Sequence, residues 1–305
     1  MSDTITYLDS ASISKLLPTL DEQLDLIEQT YVAMARGRVE LPPKPGIHPR
    51  PDAFVNAMPA YLADQDVAAM KWVSAYPGNP REGLPSISGL IILNDPETGM
   101  PDVIMDAAEI TAIRTAVASG VSIRHLAHDG WSRVAILGYG EQGRQHARVV
   151  KALNPSAEIT VYGGPRLRQQ QDGVGVVNDA RTAVDGADLV ITAGPMSQDP
   201  APVLVRQWLS IRCLVVPVDF DAYVTPQLVD EADLFVVDDV AQYDQYQSRG
   251  QFRGWPKAHA SVGDALQSPA AGDLRVVCSL GVGAIDAAYA GAIHRRARAA
   301  GLGVT

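Results

Sequence analysis

The run Val134-Ala135-Ile136-Leu137 followed by Gly138-Tyr139-Gly140-Glu141-Gln142-Gly143 constrains this 305-residue chain more than any other stretch. Four consecutive apolar residues suit a strand buried on both faces, and Arg144-Gln145-His146-Ala147-Arg148-Val149-Val150 after them suits a helix. Glycines at this spacing also occur in ordinary turns; placed between a strand and a helix they form a dinucleotide-binding fingerprint. The first glycine allows a tight turn, the second lets backbone approach a pyrophosphate, the third lets helix pack on strand, and the phosphates meet the positive helix end. Gly138, Gly140, Glu141, Gln142 and Gly143 are therefore candidate coenzyme contacts.

Beyond the fingerprint, apolar runs at 159–162, 174–177, 189–193, 213–218, 234–237 and 276–280 alternate with helical stretches, which predicts a doubly wound parallel sheet. Asp219 and Asp221 follow one of these strands, where a carboxyl strand end faces the crevice; aspartates there also serve as turn formers and helix caps. The N-terminal third reads differently. Thr19 and Glu22 form a capping box, and Leu20, Leu24, Ile27, Tyr31 and Met34 follow at helical spacing up to Gly37. The prolines of 41–49 force an extended or turned chain. Strands at 67–73, 87–93 and 101–105, with a turn at 94–99, predict a mixed region with an antiparallel sheet.

Three charged residues sit awkwardly in these patterns. Lys71 falls within an apolar strand, which is expensive for an ammonium without a partner. Arg114 lies on the apolar stripe Ile110, Ile113, Val117 and Val121 of a helix ending near Leu126, and must meet an anion, either an acidic side chain or a bound ligand. Lys44, in the proline-rich segment, is solvated unless the fold brings it to them.

Composition excludes several classes. A formal net charge of -10 argues against a general nucleic-acid binder, which needs a basic footprint. No apolar run approaches a membrane span, and residues 1–4 lack the layout of a signal peptide, so a cytoplasmic protein is expected. Cys213 and Cys278 stand singly in apolar runs and read as buried thiols. The six histidines, His125 and His128 included, form no metal-ligand spacing, and no metal is expected.

Several blocks in order then carry a family resemblance: Met58-Pro59-Ala60-Tyr61, Lys71 with Tyr76-Pro77-Gly78-Asn79, Asp95 to Pro101, and Ile110-Thr111-Ala112-Ile113-Arg114-Thr115-Ala116. Gly138 to His146, Ser279-Leu280-Gly281 and Gly283-Ala284-Ile285-Asp286 complete the set. The chain resembles the ornithine cyclodeaminase and mu-crystallin family over nearly its whole length. The resemblance implies an α/β fold in which a Rossmann doubly wound sheet, 124–283, is inserted in an α+β substrate and dimerisation domain, 1–123 plus 284–305. It implies a homodimer joined through its sheets, with no nucleic-acid or membrane partner. Lys44, Met58, Lys71 and Arg114 are the substrate-binding residues it suggests, Lys71 and Asp221 the catalytic ones, and Thr115, Asn79 and Ser279 further coenzyme contacts.

The implied chemistry is hydride transfer at the C–N bond of a small amino or imino acid by NADP or NAD, as imine reductase or amino-acid dehydrogenase. A cyclodeaminase that recycles its coenzyme is the alternative, and a crystallin-like NADPH binder without turnover is the third reading. Two departures stand out. Asp219 occupies a place where the family commonly has glycine; it could bind a substrate amine, raise the pKa of Asp221, or cap a helix. No acidic residue before Lys71 matches an ornithine side-chain amine. The residues after Tyr162, Gly163-Gly164-Pro165-Arg166-Leu167-Arg168, offer two arginines and no carboxylate, which favours a 2′-phosphate and hence NADP unless both are solvated loop charges.

Overall fold

A computed structural model describes residues 5–163, 173–196 and 199–303. They fall into two compact units, Met1–Arg114 with Gly281–Thr305, and Thr115–Leu280. The first cut lies inside a single helix, between Arg114 and Thr115, and the second precedes Gly281. Apolar periodicity shows that a helix is continuous but not where along it the chain changes company.

The first unit contains β1 (Thr6–Leu8), α1 (Ser10–Leu16), α2 (Leu20–Ala35), β2 (Val39–Glu40), β3 (Gly46–Arg50), β4 (Ala53–Leu62), β5 (Val67–Ala75), β6 (Ile87–Asn94) and β7 (Pro101–Asp106). The helix α3 (Ala108–Leu126) then runs across the division. The strands make one sheet in the order β1-β7-β6-β5-β4-β2, with β3 also paired to β4, antiparallel throughout except for the β1–β7 pair. The capping box at the start of α2 forms as the sequence predicts, with Thr19 and Glu22 satisfying each other's backbone. Asp106 starts α3 by accepting from the Ala108 N–H at 2.8 Å.

The two sheet faces differ. Along β5 the odd positions Val67 to Ala75 are buried, Lys71 among them, and this face carries α9 (Gly283–Ala300), which packs on β4, β5 and β6. Tyr289 of α9 donates to the Gln23 side chain of α2 at 2.9 Å, so the helices form one layer. The other face is apolar and, among the described residues, partly exposed. Trp72 (44% exposed) stands beside Leu90 (39%), and Met70, Ile92, Ile104 and Tyr7 (42%) make a cross-strand row.

The second unit contains β8 (Arg133–Leu137), α4 (Glu141–Leu153), β9 (Glu158–Tyr162), β10 (Gly175–Val176), α5 (Ala180–Val184), β11 (Leu189–Thr192) and β12 (Cys213–Pro217). It continues through α6 (Pro226–Asp230), β13 (Leu234–Val237), α7 (Val240–Ser248), β14 (Ala260–Ser261), α8 (Val262–Ala265) and β15 (Leu274–Cys278). Among the described residues all eight strands run parallel, in the order β10-β9-β8-β11-β12-β15-β13-β14. The chain builds outward from β8 through β9 and β10, then returns to the other side of β8 with β11. That reversal opens a crevice at the carboxyl ends of β8 and β11, the place where open parallel sheets bind ligands. Among the described residues no helix is long and apolar enough to cross a membrane.

Candidate active site

In the first unit, β5, α3 and α9 bring three charges together. Lys71 Nζ lies 2.6 Å from Asp286 Oδ2, and Arg114 Nε lies 3.0 Å from Asp286 Oδ1, with all three side chains buried. The two alternatives for Arg114 are thereby narrowed: its anion within the chain is Asp286. Lys44 is also buried and donates to the Gly281 carbonyl at 3.0 Å, and a Cβ on Gly281 would stand 3.2 Å from the Arg114 guanidinium. Gly281, at φ +73, therefore lets the backbone turn close to the arginine. Met58 pairs with Lys71 across β4 and β5, and its carbonyl fits against Gly283 at the start of α9, where a Cβ would come within 2.8 Å.

Cations outnumber the carboxylate they share. Burial, and next the Arg114 charge, push the Lys71 ammonium down to about 7, with Asp286 pulling in the opposite direction. Lys44 adds to the downward push. Such a surplus of buried positive charge is relieved by an incoming anion, and a carboxylate matches the guanidinium and ammonium donors. Sequence reasoning places Asp286 in a family block and gives it no role. Its signal is nevertheless there: an aspartate inside Gly283-Ala284-Ile285-Asp286-Ala287-Ala288, a stretch otherwise wholly apolar.

In the second unit Gly138 makes the tight turn and Gly143 the helix contact that their spacing suggests. Gly138 has φ +96, and a Cβ there would fall 2.3 Å from the Ala193 carbonyl oxygen. A Cβ on Gly143 would fall 2.2 Å from the Gly138 carbonyl oxygen, so α4 packs directly on the turn. Gly140 has open space on its Cβ side and caps α4 without any side-chain hydrogen bond. The first N–H groups of α4 thus keep their positive end for a ligand, and Gln142 Oε1 is buried without a hydrogen-bond partner. These features fit a dinucleotide pyrophosphate. Glu141 fits less directly, because its carboxylate already accepts from Gln145 and Arg144 at 2.9 Å each.

The helix α4 is also tied to α3. His146 Nδ1 lies 2.7 Å from the Gln142 carbonyl and Nε2 lies 2.9 Å from Ser119 Oγ. Burial lowers the imidazole to about 4, so it is neutral, donating from Nδ1 to the carbonyl and accepting the serine hydroxyl at Nε2. Thr115 begins this second-unit half of α3, one residue beyond Arg114. Ser279 is buried just after β15, its N–H donating to the Pro217 carbonyl at 3.0 Å. Asn79 sits in a short turn of the first unit and closes it by donating to the Pro85 carbonyl at 3.0 Å.

The two aspartates after β12 have separate surroundings. Asp219 is buried; it accepts from the Thr192 hydroxyl, and from the Gly194 N–H at 2.7 Å. Burial drives it up to about 7. Asp221 is partly buried, accepts from the Phe252 N–H at 3.1 Å and is raised above the usual carboxylate range, again chiefly by burial. The two thiols are buried and unpaired, with Cys213 pushed up to about 12 and Cys278 also raised, which makes both poor nucleophiles. A cavity of about 480 Å³ in this unit is lined by Tyr162, Asp179, Arg181, Asp199, Trp208 and Tyr223 among others. Asp179 uses its carboxylate to cap α5. Arg166 and Arg168, on which the NADP expectation rests, lie outside the described residues.

Residues 6–273 match the model of the ornithine cyclodeaminase/mu-crystallin family. The chain belongs to this family. It is 35% identical to the nodulation efficiency protein NfeD of Rhizobium meliloti over 295 residues, 92% of this chain and 91% of the relative. It is 26% identical to an alanine dehydrogenase of Archaeoglobus fulgidus, over 94% of both chains. The solved structure of the Thermococcus litoralis Δ1-pyrroline-2-carboxylate reductase with NADH and L-proline shares the fold at a TM-score of 0.84 and 24% identity, covering 99% of this chain and 100% of that one.

Replacing Asp286 by alanine would leave Lys71 and Arg114 buried side by side without their anion. We expect a loss of about 3–5 kcal/mol in denaturant unfolding. A variant as stable as the parent would show that the carboxylate does not hold the cluster.

Proposed function

We propose that this protein is an NAD(P)-dependent oxidoreductase acting at the C–N bond of a small amino or imino acid. The observation that carries the reading is the charge imbalance of Lys71 and Arg114, buried on the single carboxylate of Asp286. It asks for an anion of the size and geometry of a substrate α-carboxylate. The fingerprint glycines and the start of α4 hold the coenzyme, with Thr115 and Ser279 as further contacts. Bound NAD(P) supplies the hydride acceptor, or in reverse the donor.

The chain's own groups do the rest. Lys71 and Arg114 grip the acid group and fix the orientation of Cα, a positioning effect worth several kcal/mol, on the order of the gain from restricting a reactant. An ammonium has no lone pair to assist loss of hydride from Cα, so the substrate nitrogen must first give up a proton. Asp221 is the group we assign to accept it, and to return it in the reductive direction. Its raised pKa, caused by burial, brings the carboxyl nearer the pH at which such an exchange is balanced. We favour NADP over NAD on the Arg166 and Arg168 sequence, with Arg181 a further cation on the second-unit cavity.

We also propose that the protein is a homodimer closed through the partly exposed face of the first unit's sheet. Trp72 and Leu90, with the row Met70, Ile92, Ile104 and Tyr7, form a continuous apolar surface, and a second copy of the same face is self-complementary. Leu90→Asp should convert a dimer to a monomer in sedimentation velocity; a parent protein that sediments as a monomer would refute the arrangement.

Turnover is tested by NADPH and NADH oxidation with cyclic imino acids, and with 2-oxo acids plus ammonia or methylamine. Stoichiometric oxidation is expected. Ammonia release from a diamino acid with no net oxidation would move the protein to the cyclodeaminases. Arg114→Ala should raise the KM for the acid by about tenfold to a hundredfold, as loss of a charged hydrogen bond implies. Asp221→Asn should abolish turnover and leave coenzyme affinity near the parent value; full activity in that variant would remove Asp221 from the proton path.

The pH dependence has a definite sign. Below about 7 Lys71 is charged in the free protein and ready for a carboxylate. Above it, binding must take up a proton, and apparent affinity for the acid falls by up to about tenfold per pH unit. The inhibition constant of an unreactive carboxylate analogue, titrated across neutrality, should rise on the alkaline side. A flat profile would mean that Lys71 is not part of the acid grip.

A further inference from the structure

Asp219 is a buried carboxylate that the reaction as described does not use. It stands where two strand ends meet. Thr192 is the last residue of β11, and its hydroxyl donates to one oxygen; Gly194, two residues on, donates its N–H to the other at 2.7 Å. The β12 strand that leads to Asp219 is held to β11 at the same level by the Val218 N–H, which donates to the Thr192 carbonyl at 2.8 Å. No lysine or arginine pairs with Asp219 among the described residues. Its charge is met by hydroxyl and backbone donors alone, which restricts the geometry they can adopt.

The segment so gripped is the one on which the fingerprint turn rests. Gly138 lies so close to the Ala193–Gly194 peptide that a Cβ would fall 2.3 Å from the Ala193 oxygen and 2.6 Å from the Gly194 nitrogen. The Ala193 N–H in turn donates to the Leu137 carbonyl at 2.7 Å, immediately before the turn. Gly194 is enclosed on its other side by the Tyr223 ring, 2.5 Å from where its Cβ would be. These residues end β8 and β11, the two strands flanking the crevice at the reversal of strand order. With its N–H committed to Asp219, the Ala193–Gly194 peptide cannot rotate, and Gly138 keeps the surface it needs to hold its left-handed conformation.

We infer that Asp219 is a positioning residue for the dinucleotide, acting through the Thr192 hydroxyl and the Gly194 N–H to fix the Ala193–Gly194 peptide against which Gly138 packs. This rests on the coenzyme occupying the fingerprint crevice. It also gives the unusual carboxylate a role distinct from those open to it in the sequence, since both of its oxygens are taken by groups of β11 and its exit.

The roles of hydrogen bonding and charge separate by substitution. Asparagine is isosteric with aspartate: in Asp219→Asn the amide oxygen still accepts from Gly194 and the amide NH₂ can donate to Thr192 Oγ1, whereas Asp219→Ala loses both bonds. NADPH and NADH dissociation constants are measured for each folded variant by fluorescence titration, alongside the unfolding midpoint. We expect Asp219→Ala to weaken coenzyme binding by about tenfold or more and Asp219→Asn to stay within about threefold of the parent, from the usual worth of hydrogen bonds to a charged group. Coenzyme affinity unchanged in Asp219→Ala, even with a lowered midpoint, would make the residue merely structural and overturn the inference; so would equal weakening in both variants, which would assign the effect to charge. If the alanine variant does not fold, Thr192→Val removes one of the two bonds at constant shape and should weaken the coenzyme by about threefold to tenfold; no change there overturns the inference. A parent protein that binds neither coenzyme would defeat the NAD(P) reading itself, an outcome separate from any of these.

Discussion

The buried contact of Asp286 with Lys71 and Arg114 is the constraint on which the first unit depends. Two cations in an interior are tolerable only with an anion at hand, and one carboxylate from α9 serves a strand and a second helix together. That requirement sets which face of β5 turns toward α9, because a strand alternates sides and Lys71 must share its face with Ala69 and Val73, the residues two before and two after it. The intervening residues, Met70 and Trp72, are thereby sent to the partly exposed face. A single ion cluster thus ties the buried charges of one face to the apolar surface of the other.

The second unit meets its constraint with backbone instead of charge. Its glycines are demanded by distances shorter than any side chain permits: Gly143 on the Gly138 carbonyl, Gly138 on the Ala193 peptide. Beside this crowded turn two buried groups are pushed toward neutrality, His146 to an uncharged imidazole by burial and Asp219 by the same cause. The open end of α4 is left as the positive feature facing a ligand. A dinucleotide pyrophosphate bound there, as we propose, would be met by helix N–H groups.

Much of this was legible in the sequence for physical reasons. The capping box of Thr19 and Glu22, the alternation along β5 and the strand-glycine-helix order are local patterns, and each forms as read. The awkward placement of Lys71 and Arg114 correctly pointed to a buried anion, yet could not name Asp286, which lies far along the chain and is brought in only by the packing of α9. The strands β1 and β3 were likewise hidden: one is three residues long and the other runs through a proline-rich stretch, too short or too irregular for a period-two signal.

Asp219 and Asp221 illustrate how far environment outweighs residue type. One residue separates them, and in an ordinary extended chain their carboxylates would point the same way. Phe220 between them adopts φ +63, a left-handed conformation that a bulky side chain rarely takes, while its ring packs on Tyr246 and Phe252. The chain turns at that point, sending Asp219 to the Thr192 and Gly194 donors and Asp221 to the Phe252 N–H. Phe252 itself has φ +51, so the aromatic cluster holds two strained backbone positions on either side of one carboxylate. Strain of this kind, about 1–3 kcal/mol for each such residue, persists only where surrounding packing over-determines it. Here that packing is Tyr243, Tyr246 and Trp255 around Phe252, and its effect is to give two neighbouring aspartates different surroundings: one turned inward to the Thr192 and Gly194 donors, the other partly buried against the Phe252 N–H with a raised pKa.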